Sequence, residues 1–251
     1  MADRPLAEDQ FSRLEALSRD FRPFSDARVE IVRQAPDSIL KGVIGGYGRI
    51  TGAPAFAIMI GSTTSPRAAE HVGYVGEALL LEATAMGLGT CWVSGFFRRN
   101  SIPLYVQLAP DEIGFAVTPL GYGERVFTLK ERLYIGAAGS RSRKRWRELI
   151  EGSPPRPWQE KALEAACLAP SARNRQPWRF HLTPGTITVR TDSLSDGGRY
   201  PKRLDCGIAM LHLELGARSA GGAGRWTALD PPDVARFEKC PENGPGPSER
   251  P

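Results

Sequence analysis

The sequence predicts an α+β chain built as two related half-lobes. Short apolar runs of strand character, at 55–60, 115–120 and over a hairpin at 180–190, alternate with longer stretches of helical spacing at 7–19, 73–86, 158–168 and 205–218. The order of these runs also repeats weakly. Gly52-Ala53-Pro54-Ala55-Phe56-Ala57-Ile58 is echoed by Arg175-Gln176-Pro177-Trp178-Arg179-Phe180, and each is followed by a long helix that closes near a tryptophan, Trp92 and Trp226. The length of 251 residues is enough to bury a core without disulfides, at roughly 70–75% of the unfolded surface.

Each element has its own signal. Residues 7–19 place Phe11, Leu14 and Leu17 at a spacing of three, which predicts an amphipathic helix. Ser25-Asp26 precedes a second stretch read as helical, interrupted by Pro36-Asp37-Ser38. Five glycines between Gly42 and Gly52 predict a loop. Ala55 to Ile60 is a buried strand, Gly73 to Met86 an apolar helix stopped by Gly87, and Phe115 to Leu120 a second buried strand closed by Gly121-Tyr122-Gly123. Pro154-Pro155-Arg156-Pro157 is a stiff entry to a helix from Trp158 to Leu168. Phe180 to Leu182 and Thr186 to Arg190 form a hairpin around Pro184-Gly185, and Asp205 to Arg218 forms the last helix. The Pro- and Gly-rich tail, 240–251, reads as disordered.

Composition narrows the function classes. The formal charge is +5 and the basic residues are scattered, except for Arg141-Ser142-Arg143-Lys144-Arg145 with Trp146 and Arg147 behind it. That run reads as the solvated start of an inter-lobe helix, or as charge toward a phosphate-monoester cofactor. It lacks the interleaved aromatics of a nucleic-acid surface, and no nucleic-acid partner is expected. The four cysteines, Cys91, Cys167, Cys206 and Cys240, lie far apart without metal-ligand spacing, and only three histidines accompany them. This argues against a zinc site and for a reducing compartment. The N-terminus has no apolar core and no run reaches the ~18 residues of a membrane span, so a cytoplasmic protein with no membrane partner is expected.

The most informative stretch is Leu168-Ala169-Pro170-Ser171-Ala172-Arg173-Asn174-Arg175-Gln176-Pro177-Trp178-Arg179-Phe180. A helix stops, small and amide-bearing residues follow, and an X-Pro step forces extended backbone into a strand. Ser171, Asn174 and Gln176 can each donate and accept, which suits a heterocycle edge and equally suits local loop backbone. The stretch resembles the PSxxNxQPW loop of the flavin-dependent nitroreductase superfamily, where that loop lies against FMN. A second segment, Glu77 to Phe96, resembles the long central helix of the same superfamily followed by its GLGTCW turn, here Gly87-Leu88-Gly89-Thr90-Cys91-Trp92. Leu204-Asp205-Cys206-Gly207-Ile208-Ala209-Met210-Leu211-His212-Leu213-Glu214-Leu215 is similar to the DxGIAxxHxEL helix of a branch in which two shortened copies are fused.

The resemblance runs from about residue 10 to 227 and implies a nitroreductase-like α+β fold. A central, antiparallel-dominated sheet is flanked by helices, and the two half-lobes form an intramolecular pseudo-dimer. It implies a first lobe over 1–140 carrying the turn, a second over 141–239 carrying the loop, one flavin site per chain, and a monomer acting as a pseudo-dimer. Carried over by residue, Pro170, Ser171, Ala172 and Asn174 would meet the isoalloxazine edge and ribityl chain, with Gln176 and Trp178 orienting the loop. Trp92, Val93, Ser94 and Gly95 would lie by flavin N5 and offer backbone N–H groups. Arg49 would face N1 and C2=O, where positive charge offsets the ring's negative edge, or would be a solvated loop arginine.

At the phosphate end, Ser18-Arg19-Asp20-Phe21-Arg22 stands where the superfamily has RRSxR. Arg19 and Arg22 would grip the FMN phosphate, while Asp20 would repel it. The implied activity is ping-pong hydride transfer from NADH or NADPH, through flavin N5, to a nitroaromatic, quinone or similar electron-poor acceptor, with no catalytic acid or base. The altered phosphate segment opens the alternative of a nitroreductase-fold protein with weak or no FMN binding that binds or senses small molecules.

Overall fold

The computed structural model describes residues 4–34, 52–95, 97–123, 142–195 and 201–241. The first half contains helix α1 (Glu8–Asp20), strands β1 (Ala27–Val32) and β2 (Ala55–Ser62), helix α2 (Ala68–Ala85) and strand β3 (Glu112–Leu120). Its strands form an antiparallel sheet in the order β1-β2-β3. Phe11 and Leu14 of α1 are buried, Leu17 packs on the same core, and the acidic first turn and basic last turn match the helix dipole.

The stretch after Asp26 is a strand, not the expected helix. Ala27 and Val29 point inward while Arg28 and Glu30 stay partly exposed, a period of two. Pairing with β2, from Ala27 opposite Gly61 to Val32 opposite Phe56, decides the outcome. Every residue of β2 is buried because both of its faces are covered. Ala55, Ala57 and Met59 join the helix-side core, whereas Phe56, Ile58 and Ile60 pack on Val93, Ile102 and Val117.

The second half contains β4 (Ile150–Gly152), α3 (Pro157–Ala166), β5 (Trp178–Thr183), β6 (Thr186–Thr191), α4 (Lys202–Ser219), β7 (Gly224–Ala228) and β8 (Asp233–Lys239). The sheet order is β4-β5-β6-β8-β7, with only the β4–β5 pair parallel. The basic run does not open an α-helix: it leads into a single 3-10 turn, Trp146–Glu148, and then β4. Strands β7 and β8 were not expected from the sequence. The glycine-rich loop lies outside the described residues except for Gly52, as does the tail from residue 242.

Helices α2 and α4 cross at the centre, and the contact is reciprocal. A Cβ on Gly73 would run into the carbonyl oxygen of Leu204, and a Cβ on Gly207 would run into that of Glu70. Leu204 precedes Gly207 by three positions, as Glu70 precedes Gly73. Each glycine therefore meets the equivalent carbonyl of the other helix, the signature of an isologous contact. Arg203 closes the crossing by holding the buried Glu70 carboxylate at 2.6 and 2.9 Å.

Candidate functional site

Two segments hang from α4. The first is the loop 170–178. Arg173, Asn174 and Gln176 all adopt positive φ, at 53°, 53° and 49°. Non-glycine residues in this region cost on the order of 1–3 kcal/mol each and persist only where surroundings over-determine them. Here they do. Asp205, almost fully buried at the start of α4, accepts the Ala172 N–H at 3.1 Å and the Arg175 guanidinium at 2.8 Å. Ser171 Oγ accepts the Gln176 N–H at 2.9 Å.

Backbone 142–144 straps the loop from the other side. Gln176 Oε1 accepts Lys144 N–H at 2.8 Å, and Asn174 Nδ2 donates to Ser142 O at 2.8 Å. Arg143 and the Gln176 amide donate to Asn174 Oδ1 at 3.1 and 3.2 Å. The Lys144 ammonium donates to the carbonyls of Arg175 and Gln176, and burial, with the Arg179 guanidinium beside it, lowers its pKa from the usual lysine value against the pull of Asp192. Gln176 is buried and orients the loop; Asn174 is partly buried and closes the strap.

The second segment is the turn after α2. Cys91 N–H donates to Thr118 Oγ1 at 3.0 Å, and Val93 exchanges both backbone bonds with Val117 of β3 at 2.9 Å. The Trp92 ring lies against α2 at Gly76, where a Cβ would collide with the indole. Its Nε1–H donates to Glu77 at 2.7 Å, and the other oxygen of Glu77 meets His212 Nε2 of α4 at 2.8 Å. Among the described residues the backbone N–H groups of Ser94 and Gly95 donate to nothing, while Ser94 O accepts from Arg99 at 3.4 Å. These are unspent donors on a held turn. Asp205 and His212 are seven positions apart, so the loop and the turn are tethered to one side of α4 about 10 Å apart along its axis.

The α1 end is built differently. Ser18, Arg19 and Arg22 line a cleft of about 290 Å³ together with Glu15, Glu30 and Ile31. Ser18 Oγ donates to Val29 O at 2.6 Å, and Arg19 Nε pairs with Asp20 at 2.9 Å. Arg22 Nε caps α1 by donating to Ser18 O at 3.2 Å. The cleft is of mixed charge. Arg49 lies outside the described residues. The sequence reading did not single out Asp205, His212 or Glu77 as site residues; their signal was an ionisable group placed within an apolar helix.

The mixed α+β architecture, with antiparallel-dominated sheets and helices in both halves, matches nitroreductase-fold structures. The model of the family described as "Putative TM nitroreductase" matches residues 1–217, and the chain belongs to that family. Among solved structures it is similar to a putative nitroreductase from Thermotoga maritima MSB8 at 22% identity and a TM-score of 0.61, over 96% of this chain and 88% of that one. It is also similar to an FMN-dependent nitroreductase from Clostridium difficile R20291, at 15% identity and a TM-score of 0.42, over 51% of this chain and 82% of that one. A putative NADH dehydrogenase/NAD(P)H nitroreductase from Parabacteroides distasonis ATCC 8503 matches at 21% identity and a TM-score of 0.40, over 51% of this chain and 81% of that one. No curated protein matches. Among the described residues no helix is long and apolar enough to cross a membrane.

Proposed function

We propose that the chain is an FMN-dependent NAD(P)H oxidoreductase with one flavin site, working as a monomeric pseudo-dimer. The observation that carries this reading is the tethering of the loop and the turn to one side of α4 through Asp205 and His212. The donor set fits the group: unspent Ser94 and Gly95 N–H groups suit an acceptor edge, and the Ser171 hydroxyl hydrogen has no acceptor among the described residues. Pro170, Ser171, Ala172 and Asn174 would hold the ring and ribityl chain, and Trp92 to Gly95 would bound the reactive edge. FMN, when bound, supplies a hydride carrier between NAD(P)H and a nitroaromatic, quinone or similar electron-poor acceptor. The protein's part is to hold, orient and exclude. The reciprocal Gly73–Leu204 and Gly207–Glu70 contacts support the pseudo-dimer, since two halves meeting this way need no second chain.

One observation favours a weaker-binding protein of the same fold: Arg19 is already paired with Asp20, and Glu15 and Glu30 share its cleft. Visible absorption of the freshly purified protein, repeated after adding FMN and desalting, decides between them. Retained flavin bands at one equivalent per chain, bleached by NADH or NADPH, are the expected result. A colourless protein after reconstitution would leave the fold as a binding or sensing scaffold.

A further inference from the structure

Two buried carboxylates stand where the lobes meet, and they share a bonding pattern. Glu77 of α2 accepts the indole N–H of Trp92, from its own lobe, and meets His212 of the other lobe's helix at 2.8 Å. Glu214 of α4 accepts the indole N–H of Trp226, from its own lobe, at 2.8 Å, and the phenol of Tyr74, from the other lobe's helix, at 2.6 Å. Glu77 and Glu214 are only 4% and 7% exposed, so each must be satisfied by hydrogen bonds.

The two stations differ in what else they hold. Arg218 also donates to Glu214, which is thereby closed off among Tyr74, Trp226 and Arg218, and its indole belongs to strand β7. Burial, then the Glu214 hydrogen bond, raises the Tyr74 pKa, keeping the phenol a neutral donor. Among the described residues Glu77 has no arginine or lysine as a hydrogen-bond partner. Its indole belongs to the turn with the unspent Ser94 and Gly95 donors. The imidazole Nε2 faces the other oxygen, and since a carboxylate oxygen accepts, Nε2 is the donor of this bond. The structural job is done at both stations, but only the Glu77 station ends on a candidate redox surface.

We infer that His212 is a positioning residue: acting through Glu77 and the Trp92 indole, it fixes the Trp92–Gly95 turn, so that the second lobe's central helix sets the flavin-facing donors of the first. This rests on the flavin reading above. Tyr74 and Trp226 supply the control, an interface carboxylate with an indole donor and no turn attached.

The test compares His212→Ala, His212→Gln and Tyr74→Phe in the full chain, first without flavin. Indole N–H exchange of Trp92 and amide exchange of Val93, followed by nitrogen-labelled NMR, should rise at least tenfold in His212→Ala and return to within about threefold in His212→Gln, whose amide can still donate. Tyr74→Phe removes one interface donor to Glu214, which Arg218 still holds, and should leave Trp92 protected. In the flavin-loaded protein, His212→Ala should lower kcat for NAD(P)H oxidation about tenfold or more with KM little changed, Gln should restore it, and Tyr74→Phe should leave it unchanged at a similar loss in Tm. Equal Trp92 protection in His212→Ala and wild type, or equal kinetic loss in both alanine and phenylalanine variants, would overturn the assignment. A wild-type protein that retains no flavin would instead refute the flavin reading, and the exchange measurements would still decide whether His212 holds the turn.

Discussion

Asn174 and Gln176 look interchangeable in the sequence, yet the structure gives them different work. Gln176 is buried and bonds at both ends of its amide, to Lys144 N–H and to Ser142 and Asn174 oxygens. Gln176→Ala should therefore destabilise the flavin-free protein by about 1–3 kcal/mol in urea denaturation, because the Lys144 N–H loses its acceptor. Asn174 also bonds at both ends of its amide, to Ser142 O and from Arg143, but it is partly exposed at the loop surface, so Asn174→Ala should loosen the strap and act on the ligand as well: FMN affinity, followed by fluorescence titration, should fall by roughly 5- to 100-fold. Unchanged affinity would remove Asn174 from the flavin site. Asp20→Ser should raise FMN retention severalfold by releasing Arg19, which the carboxylate now engages at 2.9 Å. No gain would place the phosphate away from α1. The loop itself was legible because its residue types are unusual together. The 142–144 strap was not, since its bonds use backbone atoms more than 30 positions away in sequence.

Among the elements, those with long apolar runs were legible and those decided by partners were not. β2 announces itself because burial of both faces requires unbroken apolar sequence, and α2 because a long apolar stretch is stopped by Gly87. β1 hid behind charged residues that suit a helix surface, and β8 behind Arg236, Glu238 and Lys239, although Val234, Ala235 and Phe237 are buried. Those charges have a task in β1. Arg28 reaches across β2 to Glu112 of β3 with two bonds, at 2.7 and 2.8 Å, clamping the outer strands of the sheet. That hydrogen-bonded guanidinium, helped by the Ala109 N–H against a cost of burial, lowers the Glu112 pKa. A depressed folded-state pKa means that the stabilisation is present above the ordinary glutamate value of about 4.3 and fades as pH falls through the lower folded value. Glu112→Gln should therefore lose about 1–2 kcal/mol at neutral pH in chemical denaturation. The deficit should shrink below about pH 4, and a gap independent of pH would mean that the clamp is not electrostatic.

Over the whole molecule the two lobes are one folding unit only if the α2–α4 crossing holds, and its glycines allow a test that ordinary helix energetics would get backwards. Replacing a helical glycine with alanine stabilises by about 0.5–1 kcal/mol where nothing opposes the methyl group. At Gly73 and Gly207 the added Cβ meets the backbone of Leu204 and Glu70, which cannot rotate away as a side chain could. The helices must separate, and overpacking of this kind costs about 1–3 kcal/mol. Gly73→Ala and Gly207→Ala should each destabilise by that amount in urea denaturation, to a similar extent because the contact is reciprocal. The double variant should lose less than the sum, since a gap opened by the first methyl accommodates the second. Separation also shifts Glu77 against His212 and the Glu70 carboxylate against Arg203, so both variants should shed flavin faster than wild type on desalting. Stabilisation by either substitution, or full additivity of the pair, would mean that the halves do not meet as isologous partners, and the pseudo-dimer reading would fail with it.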